Sequence, residues 1–296
     1  MLNLNIKTNF LQKNYNNQPK IERKPFRQLT KDCVCFSSKK DIEKTKPDPY
    51  KTINQIATEY VNLLKTNFEE GIKFLKKQIP NLKINCININ NGSAGCASII
   101  PGNEPETYLY NIDLACNSKT ILDSTTHEGY HILQFEYDKD QPYIKTRKML
   151  AKLNDPDSKI QEEYDLLQNI VIQHIFLNPY KNAIKETEAL IEDAMKKNLC
   201  SKIEQINQEK LENLNKQLLP EELKNWFKTL PEKEHIEYIK SHAEIEIKAH
   251  SFCKNTNNDN IIYDRNTINR NKLRDIIAIK LYTEIAQMAE NELANR

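Results

Sequence analysis

No stretch of this 296-residue chain approaches the roughly 18 continuous apolar residues that a membrane span requires, so no membrane-spanning helix is expected. The opening segment, MLNLNIKTNFLQKNYNN, is broken by Asn and Lys and lacks the apolar core of a secretory signal. The seven cysteines are scattered and odd in number, which excludes a self-contained disulfide framework. Cys33-Val34-Cys35 has the wrong spacing for a zinc knuckle. Together these absences read as reduced thiols in a cytoplasmic protein. An excess of charge is also lacking: 43 Lys and Arg meet 41 Asp and Glu, interspersed, for a net charge of +2. A nucleic-acid binder needs a basic stripe for its phosphate contacts, and none is present.

What is present is 39% hydrophobic and 28% charged residues, at the polar end of the globular range. Residues 1–46 are rich in Asn, Lys and Gln, show no apolar period and read as a flexible tail. Residues 47–296 read as one domain. Its first part, 47–140, opens with a helix over Tyr50–Gln78, where Ile53, Ile56, Tyr60, Leu63, Leu64, Phe68, Ile72 and Leu75 keep a helical spacing until Pro80. Strand-like runs follow at Leu82–Ile89 and Ala94–Ile100, separated by the turn signal Asn90-Asn91-Gly92, and at Thr107–Leu114. A helix capped by Asn117 or Ser118 completes this part. After Tyr137 a polar loop is expected, and then a helical part, 141–296, with helices near 158–177, 181–197, 201–218, 221–229, 233–254 and 267–294. Helix, a few antiparallel strands, then helices is an α+β, predominantly helical pattern, unlike the regular alternation of a doubly wound sheet.

The chemistry-bearing motif is His127-Glu128-Gly129-Tyr130-His131. On a helix the two histidines sit one turn apart on the same face and can close on one metal ion. Glu128 stands beside them, placed to activate a water. Gly129 inside a helix costs about 1 kcal/mol relative to Ala, so it answers to close packing beneath the site. Tyr130 reads as a packing residue. Gln134, one turn after His131, reads as a polar residue within reach of the site.

The stretch YLYNIDLACNSKTILDSTTHEGYHILQFE resembles the strand and active-site helix of the zincin metallopeptidases. In that family the edge strand before the helix pairs with extended substrate, which points to Tyr108–Leu114. With no H-x-x-G-x-x-H continuation after His131, the chain resembles the gluzincin branch, in which a Glu from a later helix completes the site.

Glutamates 186, 188, 244 and 246 compete for that role. Glu186 and Glu188 flank the apolar stripe of their helix, where solvated charges normally lie, and Glu244 belongs to the polar face of its own. Glu246 instead shares a face with Ile239, Ala243, Ala249 and Cys253, with His242 and His250 one turn to either side. A carboxylate on a buried face needs a positive partner, which a metal would supply. Glu246 and Ala249 also fit the E-x-x-A signature that the resemblance implies, though His250 stands where Asp or Asn is usual. Glu186 fits the signature too and remains the alternative. His242 and His250 read either as structural histidines or as stabilisers of an oxyanion; His174 and His235 carry no such context.

The resemblance therefore implies a zincin-like domain with a small antiparallel sheet and a helical C-terminal half. It implies a zinc hydrolase acting on peptide or protein substrates, with Zn2+ on His127, His131 and Glu246 and Glu128 as general base. The alternative is a helical binding or scaffold protein whose metal site is structural, closed by a fourth protein ligand such as Cys253.

Overall fold

The computed structural model describes residues 52–87, 95–100, 107–113, 118–153, 158–177, 179–197, 218–256 and 265–296. The chain divides after Ile42, and every described residue belongs to the unit Glu43–Arg296. The expected tail over 1–46, the turn at 90–92 and, up to residue 217, the helix near 201–218 lie outside the described residues.

The segment expected as one helix over Tyr50–Gln78 is two, α1 (Ile53–Thr66) and α2 (Phe68–Gln78). Asn67 interrupts it. Its backbone is extended, at φ −151° and ψ 110°, and its side chain accepts from the amides of Glu69 and Glu70. An Asn that caps so well favours a break over helical continuation. Thr52 and Gln55 close a reciprocal capping box at the start of α1. The i, i+4 ladder Ile56, Tyr60, Leu64 then faces the core, fully or nearly fully buried.

Strands β1 (Leu82–Ile87), β2 (Gly95–Ile100) and β3 (Thr107–Asp113) form a sheet in the order β1-β3-β2. The antiparallel sheet expected from sequence is in fact mixed: β3 runs antiparallel to β2 but parallel to β1. Strand spacing reveals that strands exist, whereas their direction depends on how the connections cross. The order also moves the exposed edge. β3, expected to pair with substrate, is flanked on both sides, and β2 lies at an edge of the described sheet.

The motif helix α3 (Ser118–Tyr137) follows β3. Where a polar loop is expected, Pro142–Leu153 forms helix α4 and buries Tyr143, Ile144, Leu150 and Ala151. Proline is well suited to its first position, where no amide donor is needed. The remaining described helices are α5 (Lys159–Phe176), α6 (Pro179–Lys196), α7 (Glu221–Thr229), α8 (Lys233–Thr256) and α9 (Arg265–Ala294). Helices α8 and α9 pack along one another, and α8 also meets α1, α3, α4 and α5. α8 is thus central, and Ile236, Ile239, Ala243, Ile245 and Ala249 are at most 1% exposed. None of the described helices is long and apolar enough to cross a membrane.

Candidate metal and catalytic site

Helix α3 is seated tightly. Tyr60 of α1 donates its hydroxyl to Thr125 O at 3.0 Å, and Tyr130 donates to Asn54 Oδ1 at 2.7 Å while stacking on Phe252. A Cβ on Gly129 would stand 2.4 Å from Tyr60 Cε1, so α1 can pass this close only because that position is glycine. Tyr130 packs and Gly129 makes room, as the sequence suggests.

On the opposite side α3 turns His127 and His131 toward α8. Their Nε2 atoms are 3.0 Å apart, with the rings nearly perpendicular. The Glu246 carboxylate meets both: Oε2 lies 3.5 Å from His127 Nε2 and Oε1 lies 3.5 Å from His131 Nε2. These three residues offer ligand atoms within 4.8 Å of one another, a group able to hold a metal ion. Three donors about 2.0–2.2 Å from a tetrahedral zinc would lie about 3.3–3.6 Å apart, close to the separations found. Of the competing glutamates, Glu186 is exposed on α6 and Glu244 is partly exposed beside Lys240. The Glu188 side chain lies outside the described set.

The surrounding groups orient this cluster. Gln134 is fully buried and donates Nε2–H to Ile245 O of α8 at 3.1 Å. That fixes its Oε1 toward His131 Nδ1, 2.7 Å away. An amide oxygen only accepts, so Nδ1 carries a proton and Nε2 is directed at Glu246 and His127. His242 Nε2 lies 3.3 Å from Glu246 Oε1 under the stacked ring of Tyr143. His250 packs against His127, with Nε2 3.8 Å from Glu246 Oε2 and Nδ1 2.9 Å from Asp275 Oδ1. His174 and His235 have no part in the cluster.

Comparison with known proteins adds nothing to this geometry: no protein-family model matches the chain, and neither a curated protein nor a solved structure matches it.

The cluster opens on a cavity of about 530 Å³. Its walls mix aromatic and aliphatic side chains, Phe135, Tyr143, Ile172, Phe176, Tyr180 and Tyr282 among them, with charged and polar ones such as Asp123, Gln168 and Arg274. Glu128 also lines it, and its Oε2 accepts a 2.9 Å hydrogen bond from the Ala97 amide of β2. Arg274 enters from α9 and pairs with Asp123 of α3. Sequence reasoning misses Tyr282, Arg274 and Asp275 altogether. They stand on α9, far along the chain, in no motif or distinctive spacing.

The electrostatics of the cluster are those of a charged pair. Burial works against a proton on His131, yet the charge and hydrogen bond of Glu246 outweigh it and push the imidazole up to about 9. Burial would raise the Glu246 carboxyl, but the His131 charge and hydrogen bonds from His127, His131 and His242 hold it well below the usual range. Burial, followed by the neighbouring histidines, lowers His127; burial brings His250 down to about 4. Asp275 is raised to about 7, again by burial foremost.

A histidine raised in the folded state supplies stability below its ordinary value of 6.5, and that stability disappears as pH climbs through 9. A carboxyl raised to about 7 acts with the same sign, losing its contribution as pH rises through that value. The thermal midpoint of the chain in excess chelator is therefore expected to fall between pH 6.5 and pH 9. Over the same interval metal affinity should rise, because the cation competes with the His131 proton. Melting curves with chelator and with zinc at both ends of the window check both signs.

Proposed function

We propose that this chain is a zinc-dependent hydrolase of peptide or protein amide bonds, with a zincin-like catalytic domain of gluzincin type. The observation that carries this reading is the convergence of His127, His131 and Glu246 from two helices beside a cavity that Glu128 also lines. Two imidazoles and a carboxylate suit zinc, and three protein ligands leave a position for water, as catalytic zinc sites do. Zinc held there would polarise the scissile carbonyl and lower the pKa of a water.

The chain's own groups supply the remainder. Glu128 takes the proton of the attacking water and passes it to the leaving amine. Ala97 N–H holds one oxygen of that carboxylate and so fixes its direction. Tyr282 lines the cavity beside His250 and can donate its hydroxyl to the oxyanion of the tetrahedral intermediate, while Asp275 holds the His250 ring in place. The edge of β2, which reaches the cavity at Cys96 and Ala97, replaces β3 as the strand able to pair with extended substrate.

A structural metal site in a scaffold protein would need a fourth protein ligand. Cys253 does not supply it, because its sulfur lies by His127 Nδ1, the nitrogen turned away from the cluster.

The test is metal content of the chain after equilibration with excess zinc. Wild type is expected to carry about one zinc, His127→Ala to lose it, and Glu246→Gln to bind it at least tenfold more weakly. A wild type without zinc would overturn the reading, and undiminished binding in Glu246→Gln would move the third ligand elsewhere.

A further inference from the structure

Metal-binding imidazoles ordinarily donate their second N–H to a carboxylate, a carbonyl or a water, which fixes the ring and raises its basicity. Two of the three residues in this cluster have such support. His131 has Gln134 Oε1 at 2.7 Å, itself locked by Ile245 O, and Glu246 has His242 at 3.3 Å. His127 is different. The group facing its Nδ1 is the sulfur of Cys253, 4.0 Å away.

A thiol is a weak acceptor, and 4.0 Å is the outer limit of a sulfur hydrogen bond. Cys253 is 1% exposed, so its side chain is held at this contact by the surrounding packing. The position is sterically set, on the face of α8 that packs against α3, one turn after Ala249.

We propose that Cys253 is the positioning residue that keeps metal affinity at this site low, making its occupancy exchangeable and responsive to metal supply. The proposal rests on the metal-site reading above. His127 joins the cluster through Nε2 with its other nitrogen poorly supported, so its orientation is the least restrained of the three, and release of the ion begins there. An oxygen acceptor in place of the sulfur would convert the site to a tightly held one.

Cys253→Asn supplies that acceptor, because its amide oxygen reaches roughly 1 Å beyond the sulfur position, to hydrogen-bond distance of Nδ1. Zinc affinity is measured by competition with a chromophoric chelator, and release by chelator-jump kinetics, for wild type, Cys253→Asn and Cys253→Ala. Cys253→Asn is expected to tighten binding by about 10- to 100-fold, mainly through slower release, whereas Cys253→Ala changes it by less than about threefold. Cobalt-loaded wild type should show no sulfur-to-metal charge-transfer band. Unchanged affinity in a folded Cys253→Asn, a tenfold loss in Cys253→Ala, or a charge-transfer band overturns the role given to Cys253 while leaving the metal site standing. Absence of metal from all three chains overturns the metal site and this proposal with it.

Discussion

On the zinc-hydrolase proposal, Glu128→Gln is expected to keep the metal and lose about 10²–10⁴-fold in hydrolysis, the usual range for removal of a general base. The substitution is nearly isosteric, and the glutamine Oε1 can still accept from Ala97 N–H, so β2 stays docked against α3. What disappears is the ability to take a proton from water. Glu128 does not belong to the three-residue cluster, so metal content should remain at the wild-type level. Peptide-library turnover, measured beside metal analysis on the same preparation, separates the two effects. Full activity in the variant would remove Glu128 from the chemistry, whatever the metal content.

Gly129→Ala is expected to destabilise the fold by about 1–3 kcal/mol, the range for overpacking a well-filled core. Alanine favours a helix interior over glycine by about 1 kcal/mol, so propensity alone predicts the opposite sign. Packing overrules it. The new Cβ would lie 2.4 Å from Tyr60 Cε1 and 2.8 Å from the Tyr60 hydroxyl, and that ring is fully buried and tied to Thr125 O. Either α1 or α3 must move, and α3 carries the histidines. Urea unfolding of the metal-free chain gives the stability change directly. The double variant with Tyr60→Leu should show a smaller penalty for Gly129→Ala than the wild-type background does, since the clashing ring is gone.

Much of the site is legible in the order of residues alone, and the reason is helical periodicity. His127 and His131 share a face because their spacing is one turn, and Glu246 can be separated from Glu244 because only one of them aligns with Ile239, Ala243 and Ala249. Gly129 is legible as a packing residue because nothing else justifies glycine mid-helix. The role of Gln134 is half visible: its spacing places it near His131, but its second bond, to Ile245 O, depends on a helix that follows about a hundred residues later. The helix break at Asn67 and helix α4 escape the periodic reading because local capping and a first-turn proline decide them, not the apolar pattern.

The sequence by itself determined most of the described helices (though not α4 or the break between α1 and α2), where three strands lie, and which side chains of α3 and α8 share a face, since each of these follows from spacing along a single element. Only the tertiary structure decided that β1 runs parallel to β3, that β2 and not β3 lies at an edge of the described sheet, and that α9 brings Arg274, Asp275 and Tyr282 to the site. Those outcomes depend on how separate elements cross and pack, and helix or strand spacing carries no record of its partners. The placement of Cys253 behind His127 belongs to the same class: it is a distance between two helices, fixed only when they pack together.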